Sequence, residues 1–306
     1  MEQIKIYDTI IIGGSYAGLS AAMALGRSLR QVLIIDSGQP CNAQTPHSHN
    51  FITQDGVAPG IIAGKARAQV LAYDSISFYE GLALNGRQLD GGFEIETDKG
   101  ERFKTKKLLF ASGIRDLMPD IPGIKECWGI SVIHCPYCHG YEVRNQKTGI
   151  LASGEVAFEM GKLISNWTFD LTLYTQGESS LKTEQVTALK NKGILINEKQ
   201  VVEVSHDQGQ IKGIEFRDGS KESLNALYVR LPFEQKCQIP NQLGCEVDEQ
   251  GYLVVNRMQK TSLDGVYACG DCTSPFRSVA NAVQSGSFAG AVINKDLIEE
   301  EFLSRK

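Results

Sequence analysis

The chain contains no run approaching the roughly 20 apolar residues that a bilayer span needs, so no membrane helix is expected. It has no Lys/Arg-rich run, and its formal charge is −5. Both facts argue against a nucleic-acid partner, which requires a basic field. The opening Met1–Lys5 lacks the long apolar core and small-residue cleavage site of a secretory signal, and a cytoplasmic protein is expected. Short-period repeats and low-complexity tracts are missing too, which excludes solenoids and linker-like segments. Eight cysteines are present. In a cytosolic chain of this size they do not read as a disulfide framework, and most are expected to be reduced and packed.

What is present is enough for two domains: 306 residues, of which 42% are apolar. Residues 7–12 (Tyr-Asp-Thr-Ile-Ile-Ile) read as a buried parallel strand. A Gly-rich turn over 13–18 and a helix to about Leu29 follow, then a second strand over 31–36. Residues 57–72 look helical. Strands near 76–80, 93–97 and 101–104 suggest an antiparallel meander, and Leu108–Gly113 is a buried strand ending on small residues. Pro119, Pro122 and Gly123 mark a crossover. A second, weaker βαβ pattern starts at Thr148, runs through helix to about Asn166 and strand 171–174, and its meander recurs over 201–217. Strand 264–269 and a small-residue-rich helix from about Ser278 to Lys295 close the chain. The expected fold is α/β: two Rossmann-like three-layer ββα domains, the second inserted in the first. The expected boundaries are 1–113 plus 245–306 for one domain and 114–244 for the other.

Three segments carry chemistry. The first turn, Gly13-Gly14-Ser15-Tyr16-Ala17-Gly18, matches the dinucleotide fingerprint except that Ser15 replaces the middle glycine. Gly13 permits the tight turn, Gly18 allows close strand–helix packing, and the helix N-terminus then faces a pyrophosphate. Asp36, ending the second strand, is placed to accept from a ribose hydroxyl. Gly270-Asp271 ends the last strand; its carboxylate suits a ribityl hydroxyl, with a helix N-cap as the plainer role. The third segment is His134-Cys135-Pro136-Tyr137-Cys138-His139-Gly140. A Cys-x-x-Cys pair of this kind closes into an easily reduced disulfide. A zinc site would need four ligands. Cys269 and Cys272 supply a second pair on paper, but Asp271 between them has a better role, so no metal is expected. Cys41, Cys127, Cys237 and Cys245 read as packed thiols.

Taken together, Gly13–Gly18, Asp36, Ala111-Ser112-Gly113, the mid-chain Cys135–Cys138 pair and Gly265–Asp271 resemble a known class. It is the low-molecular-weight thioredoxin reductase class of FAD-dependent pyridine nucleotide–disulfide oxidoreductases. The string Cys135 to Glu142 is similar to the gliotoxin-type dithiol oxidases within it. The resemblance implies FAD held by Gly13, Gly14, Ser15, Ala17, Gly18, Asp36, Ala111, Ser112, Gly113, Gly270 and Asp271, and a homodimer. It implies that Cys138 is the thiol nearest the flavin and that Cys135 exchanges with substrate. Where thioredoxin reductases carry an Asp after the second cysteine, this chain has His139, which suits proton transfer at neutral pH. His134 is a weaker candidate, for stabilising the Cys135 thiolate.

The chain departs from the class where its members bind NADPH. The second turn reads Ala152-Ser153-Gly154-Glu155-Val156-Ala157, without the first glycine and with an acid beside the expected pyrophosphate. After the next strand comes Tyr174-Thr175-Gln176-Gly177-Glu178, with no arginine to clamp a 2′-phosphate. NADPH binding is therefore expected to be lost or very weak. Electrons would run from a dithiol to FAD and oxygen. Alternatively, ferredoxin or residual NAD(P)H would feed FAD and then a thioredoxin-like protein. A flavin-bound redox sensor with little turnover is the third expectation.

Overall fold

The computed structural model describes residues 6–304; Met1–Lys5, read above for a signal sequence, lie outside the described residues. The first stretch runs β1 (Ile6–Ile12), α1 (Tyr16–Arg27), β2 (Val32–Asp36), α2 (Pro59–Val70), β3 (Ile76–Glu80), β4 (Ala83–Leu89), β5 (Gly92–Thr97), β6 (Arg102–Phe110) and β7 (Ile114–Asp116). The middle stretch follows with α3 (Ile124–Cys127), β8 (Val132–Ile133), α4 (Pro136–His139), β9 (Thr148–Leu151), α5 (Gly154–Ile164), β10 (Leu171–Tyr174) and α6 (Thr183–Asn191). It ends with β11 (Leu195–Asn197), β12 (Val201–Asp207), β13 (Gln210–Phe216), β14 (Lys221–Ser223) and β15 (Ala226–Val229). The return comprises β16 (Phe233–Gln235), α7 (Ile239–Leu243), β17 (Val266–Ala268) and α8 (Val279–Ser304).

Two compact units result. One holds the chain up to Ala43, Pro59–Arg115 and the segment from Phe233 onward; the other holds Gln44–Ala58 and Asp116–Pro232. The return to the first unit falls ahead of the 244/245 boundary expected from sequence. The reason is packing: Cys237, Ile239 and Cys245 are buried in the first unit's core. Residues 44–58 lie inside the first half of the sequence yet belong to the second unit.

In the first unit β3, β2, β1 and β6 form a parallel sheet, and β17 continues it beside the second half of β6. β5 and β4 extend it as an antiparallel meander from the first half of β6. Side chains alternate across a strand. Accordingly Ile10, Ile12, Leu33, Ile35, Leu108 and Phe110 enter one core with Phe93, Ile95 and Leu253. The sequence pattern placed Ile76–Glu80 in the meander. The structure instead pairs it parallel to β2, and the meander's first strand is β4, whose largely polar, exposed residues gave no strand signal.

The second unit repeats the plan on a smaller scale. Its sheet is entirely parallel, in the order β11, β10, β9, β15, β8, and β12–β14 form an antiparallel three-stranded ribbon. One core lies around Val132, Leu151, Phe216 and Leu227, another around Ile133, Ile150, Leu173 and Tyr228. The alternation of Leu227 and Tyr228 between the two cores is the strand period again.

Candidate active site

The first turn is built by close approach of backbones. Gly13 has φ +105°, and a Cβ there would strike the carbonyl of Ala111. At Gly18 a Cβ would strike the carbonyl of Gly13. Only glycine permits the left-handed turn and these two contacts. Ser15 is the N-cap of α1, and its hydroxyl makes no capping bond, so it stays available at the helix mouth. Asp36 accepts from the Gly14 amide at 2.8 Å and from the Gly38 amide at 3.0 Å. Both carboxylate oxygens are thereby fixed beside the turn, each with a lone pair to spare.

Ala111, Ser112 and Gly113 follow β6 directly against this turn. The Ser112 hydroxyl is buried and has no protein partner. Such an orphan calls for a bound group. Gly270 and Asp271 form a short 3₁₀ turn after β17; the Gly270 amide donates to Ser285 Oγ at 3.1 Å. Asp271 lies 3.9 Å from Cys41 Sγ and from Arg277 Nε. All eleven positions expected to hold FAD fall in the first unit. The glycine-shaped turn, the fixed carboxylate and the orphan hydroxyl fit that group.

The dithiol lies in the second unit, on the chain that leaves β8 for α4. Pro136 occupies the first helical position, where its missing N–H costs nothing. Cys135 is the N-cap, and the amides of Cys138 and His139 bond back to its carbonyl at 3.3 and 3.2 Å. A single turn therefore sets the two cysteines three residues apart on one face. Tyr137 between them is 59% exposed, and its ring meets Trp167 edge-on at 5.6 Å. His134 stacks on Trp128 at 5.6 Å.

His139 ends the turn. Burial holds its imidazole below the ordinary histidine range; Glu142 pulls the other way and His49 reinforces the lowering. His49 comes from the 44–58 segment, with Nε2 at 3.5 Å from Glu142 Oε1 and Nδ1 at 3.5 Å from Asp55 Oδ1. Tyr228 of β15 is 1% exposed and its hydroxyl has no partner. Burial first, then the charges of Cys135, Glu142 and Cys138, raise its phenol and keep it protonated. Sequence reading missed His49 and Tyr228, since nothing in local spacing ties either to the dithiol.

At the second unit's turn, between β9 and α5, the side chains bond to neighbouring segments. Ser153 Oγ lies 3.3 Å from Ser180 Oγ. Glu155, in the first turn of α5, accepts from Gln185 Nε2 at 2.8 Å. Beyond β10, Gln176 bonds to both the N–H and the carbonyl of Val201, and Glu198 accepts from the Ser179 amide.

The other cysteines are unlike the dithiol. Cys269 and Cys272 are fully buried in the first unit, and Cys272 bonds to the Phe110 and Cys269 carbonyls. Burial pushes the Cys272 thiol up to about 12 and the Cys269 thiol well above its usual range. Among the described residues no cluster of three His, Cys, Asp or Glu side chains is placed to hold a metal ion. No described helix is long and apolar enough to cross a membrane.

Two Rossmann-like units, one with a dinucleotide turn and one with a Cys-x-x-Cys turn, define a flavin-linked disulfide oxidoreductase. The chain belongs to the pyridine nucleotide-disulphide oxidoreductase family, whose model matches residues 7–286. It is 33% identical to thioredoxin reductase tcpT of Claviceps purpurea, over 98% of this chain and 97% of that one. Among solved structures it is similar to an oxidoreductase from Agrobacterium tumefaciens, at 35% identity and TM-score 0.91, covering 96% and 99% of the two chains. It is also similar to HlmI, at 31% identity and TM-score 0.92, covering 98% and 95%. The protein is thus an FAD-dependent, thioredoxin reductase-like oxidoreductase.

Proposed function

We propose that the enzyme oxidises a small-molecule dithiol, passing electrons through Cys135 and Cys138 to FAD and from there to oxygen, with no nicotinamide nucleotide. The observation that carries this reading is the second unit's turn. Ala152 stands for the first glycine, Ser153 and Ser180 meet across the turn, and Glu155 brings negative charge to the start of α5. No arginine follows β10 to bind a 2′-phosphate.

Gly13, Gly14, Ser15, Ala17 and Gly18 would hold the pyrophosphate, Asp36 the adenosine ribose, Asp271 the ribityl chain, and Ser112 would find its missing partner in the cofactor. Bound FAD supplies a two-electron acceptor that oxygen can reoxidise. The substrate's first thiolate attacks Cys135 of the Cys135–Cys138 disulfide, and the S–S bond breaks to leave Cys138 as thiolate. The substrate's second thiol then displaces Cys135, giving the oxidised substrate and a reduced protein dithiol. His139 takes the proton from the attacking thiol and releases it as the dithiol is reoxidised. In sum, one dithiol and one oxygen molecule give one disulfide and one hydrogen peroxide.

Anaerobic visible absorbance of the flavin during titration with NADPH, NADH and dithiothreitol tests the reading. Bleaching by dithiothreitol alone is the expected result, and Cys138→Ser should abolish it while FAD stays bound. Bleaching by micromolar NADPH would overturn the proposal and support a thioredoxin-like partner, as the name of the tcpT relative suggests. If dithiothreitol bleaches the flavin but oxygen does not restore it, a protein carrier such as ferredoxin takes oxygen's place.

A further inference from the structure

Tyr137 stands between the two cysteines and keeps most of its ring in solvent, and both thiols are partly exposed beside it. A single exposed aromatic is ordinary. This one is braced. Its ring meets Trp167 at a right angle, with centroids 5.6 Å apart. Trp167 is fixed in turn: its carbonyl accepts from the Asn145 amide at 2.9 Å, and its amide donates to the Ile164 carbonyl at 2.9 Å. Gly140 lies against its indole, where a Cβ would fall 2.9 Å from Cδ1 and Nε1. The turn that carries the dithiol therefore holds both rings in place before a ligand arrives, and little side-chain freedom is left to lose on binding.

Charge is missing from the same stretch. Residues 127–141 contain no Asp, Glu, Lys or Arg. The nearest charged residues beyond them are turned elsewhere: Glu142 Oε1 lies 3.5 Å from His49 Nε2, and the Arg144 guanidinium lies 3.8 Å over the Tyr141 ring. Along this stretch a charged thiol finds no counter-ion, whereas a ring finds other rings.

We infer that Tyr137 is a specificity-determining residue: its ring stacks on an aromatic or flat conjugated ring of the substrate, an uncharged small molecule whose two thiols lie close to that ring. The inference rests on the function proposed above and names the substrate class for it. Tyr137 follows Cys135 by two residues. A ring that bears the attacking thiol is therefore brought beside Tyr137 as the mixed disulfide with Cys135 forms. Aromatic pairs are favourable at centroid separations of about 4.5–7 Å, the range in which Tyr137 and Trp167 already stand, so a third ring extends an existing pair.

The test uses the FAD-loaded full chain and the anaerobic rate of flavin reduction by two dithiols, dithiothreitol and ortho-benzenedimethanethiol. Both carry alkyl thiols and close disulfide rings of the same size, so they differ chiefly in the aromatic ring. The readout is the ratio of their second-order rate constants, which cancels any loss common to both. In Tyr137→Leu, which keeps apolar bulk but removes the ring, the preference for the ring-bearing dithiol should fall roughly three- to tenfold, the worth of one aromatic pair. Tyr137→Phe should retain it. Tyr137 is exposed, so neither change removes a packed core group.

An unmoved ratio in Tyr137→Leu overturns the inference, and so does an equal fall in Tyr137→Phe. If the ratio stays while the rate with reduced thioredoxin drops in Tyr137→Leu, the exposed ring serves a protein partner, and the inference is overturned likewise. If neither dithiol bleaches the wild-type flavin, the proposed function falls, and this inference with it. Bleaching of the wild type by both dithiols, with the same ratio in Tyr137→Leu, removes the inference alone.

Discussion

Tyr228 shows how one side chain carries information that its neighbours in sequence do not. It sits mid-strand in β15, paired with Ile133 and Ile150, and reads from sequence as ordinary sheet core. The ring does fill that core, but the hydroxyl is buried without a partner in the unit that carries the dithiol. A buried, unmade hydrogen bond costs stability, and deleting the group removes the cost. Tyr228→Phe should therefore leave the fold as stable or raise its stability by up to about 1 kcal/mol. Urea unfolding of both proteins checks this. A loss above about 1 kcal/mol would show that the hydroxyl is satisfied in solution. His49 makes the same point about legibility. Cys135, Cys138 and His139 could be picked out because one helical turn joins them. His49 reaches Glu142 only because the 44–58 excursion belongs to the second unit.

Among elements, the sequence was most readable where apolar alternation or a glycine turn set the pattern. β1, α1 and β2 stand within a few residues of their expected places, as do β9 and β10. β4 was not readable, because a strand with one face in solvent and the sequence Ala-Leu-Asn-Gly-Arg-Gln-Leu lacks a clear period. α8 was expected to run from about Ser278 to Lys295 but continues to Ser304, its last turns held by side chains from other elements. Lys107 pairs with Glu300, Arg30 with Glu301 at 2.7 Å, and Asp296 takes both Lys260 and the Tyr267 hydroxyl. The small residues of α8 serve its contact with α1. A Cβ at Gly286 would strike the Ala17 carbonyl, and one at Gly290 the Ala21 carbonyl. Ala17 lies in the turn expected to hold the pyrophosphate, so packing of α8 reaches the cofactor side of α1. Gly286→Val should cost roughly 1–3 kcal/mol by overpacking and lower the FAD content of the purified protein. Lys295→Ala, which removes only an exposed i,i+4 pair with Glu299, should change stability by no more than about 0.5 kcal/mol. Thermal melts and the flavin-to-protein absorbance ratio of the two variants decide it.

For the whole molecule, the chemistry is divided between units with separate cores. Every residue proposed to hold FAD lies in the first unit, and the dithiol, His139, Glu142, His49 and Tyr228 lie in the second. The proposed cofactor residues come from four distant stretches, 13–18, 36, 111–113 and 270–271, which meet only when the first unit is folded. A ligand bound only by the folded form stabilises it by RT ln(1 + [L]/Kd), about 2.7 kcal/mol at a hundredfold excess over Kd. That stabilisation acts on the unit that binds. Calorimetry of the protein before and after removal of FAD should therefore show two transitions, one falling by several degrees and the other unmoved. The unmoved transition should be the one that His49→Gln or Tyr228→Phe shifts, since both lie in the second unit's packing. A single transition, or two that fall together on loss of FAD, would mean that the units unfold as one cooperative body. In that case the cofactor would also stabilise the dithiol's surroundings, and the rates of flavin reduction would have to be compared at equal flavin occupancy.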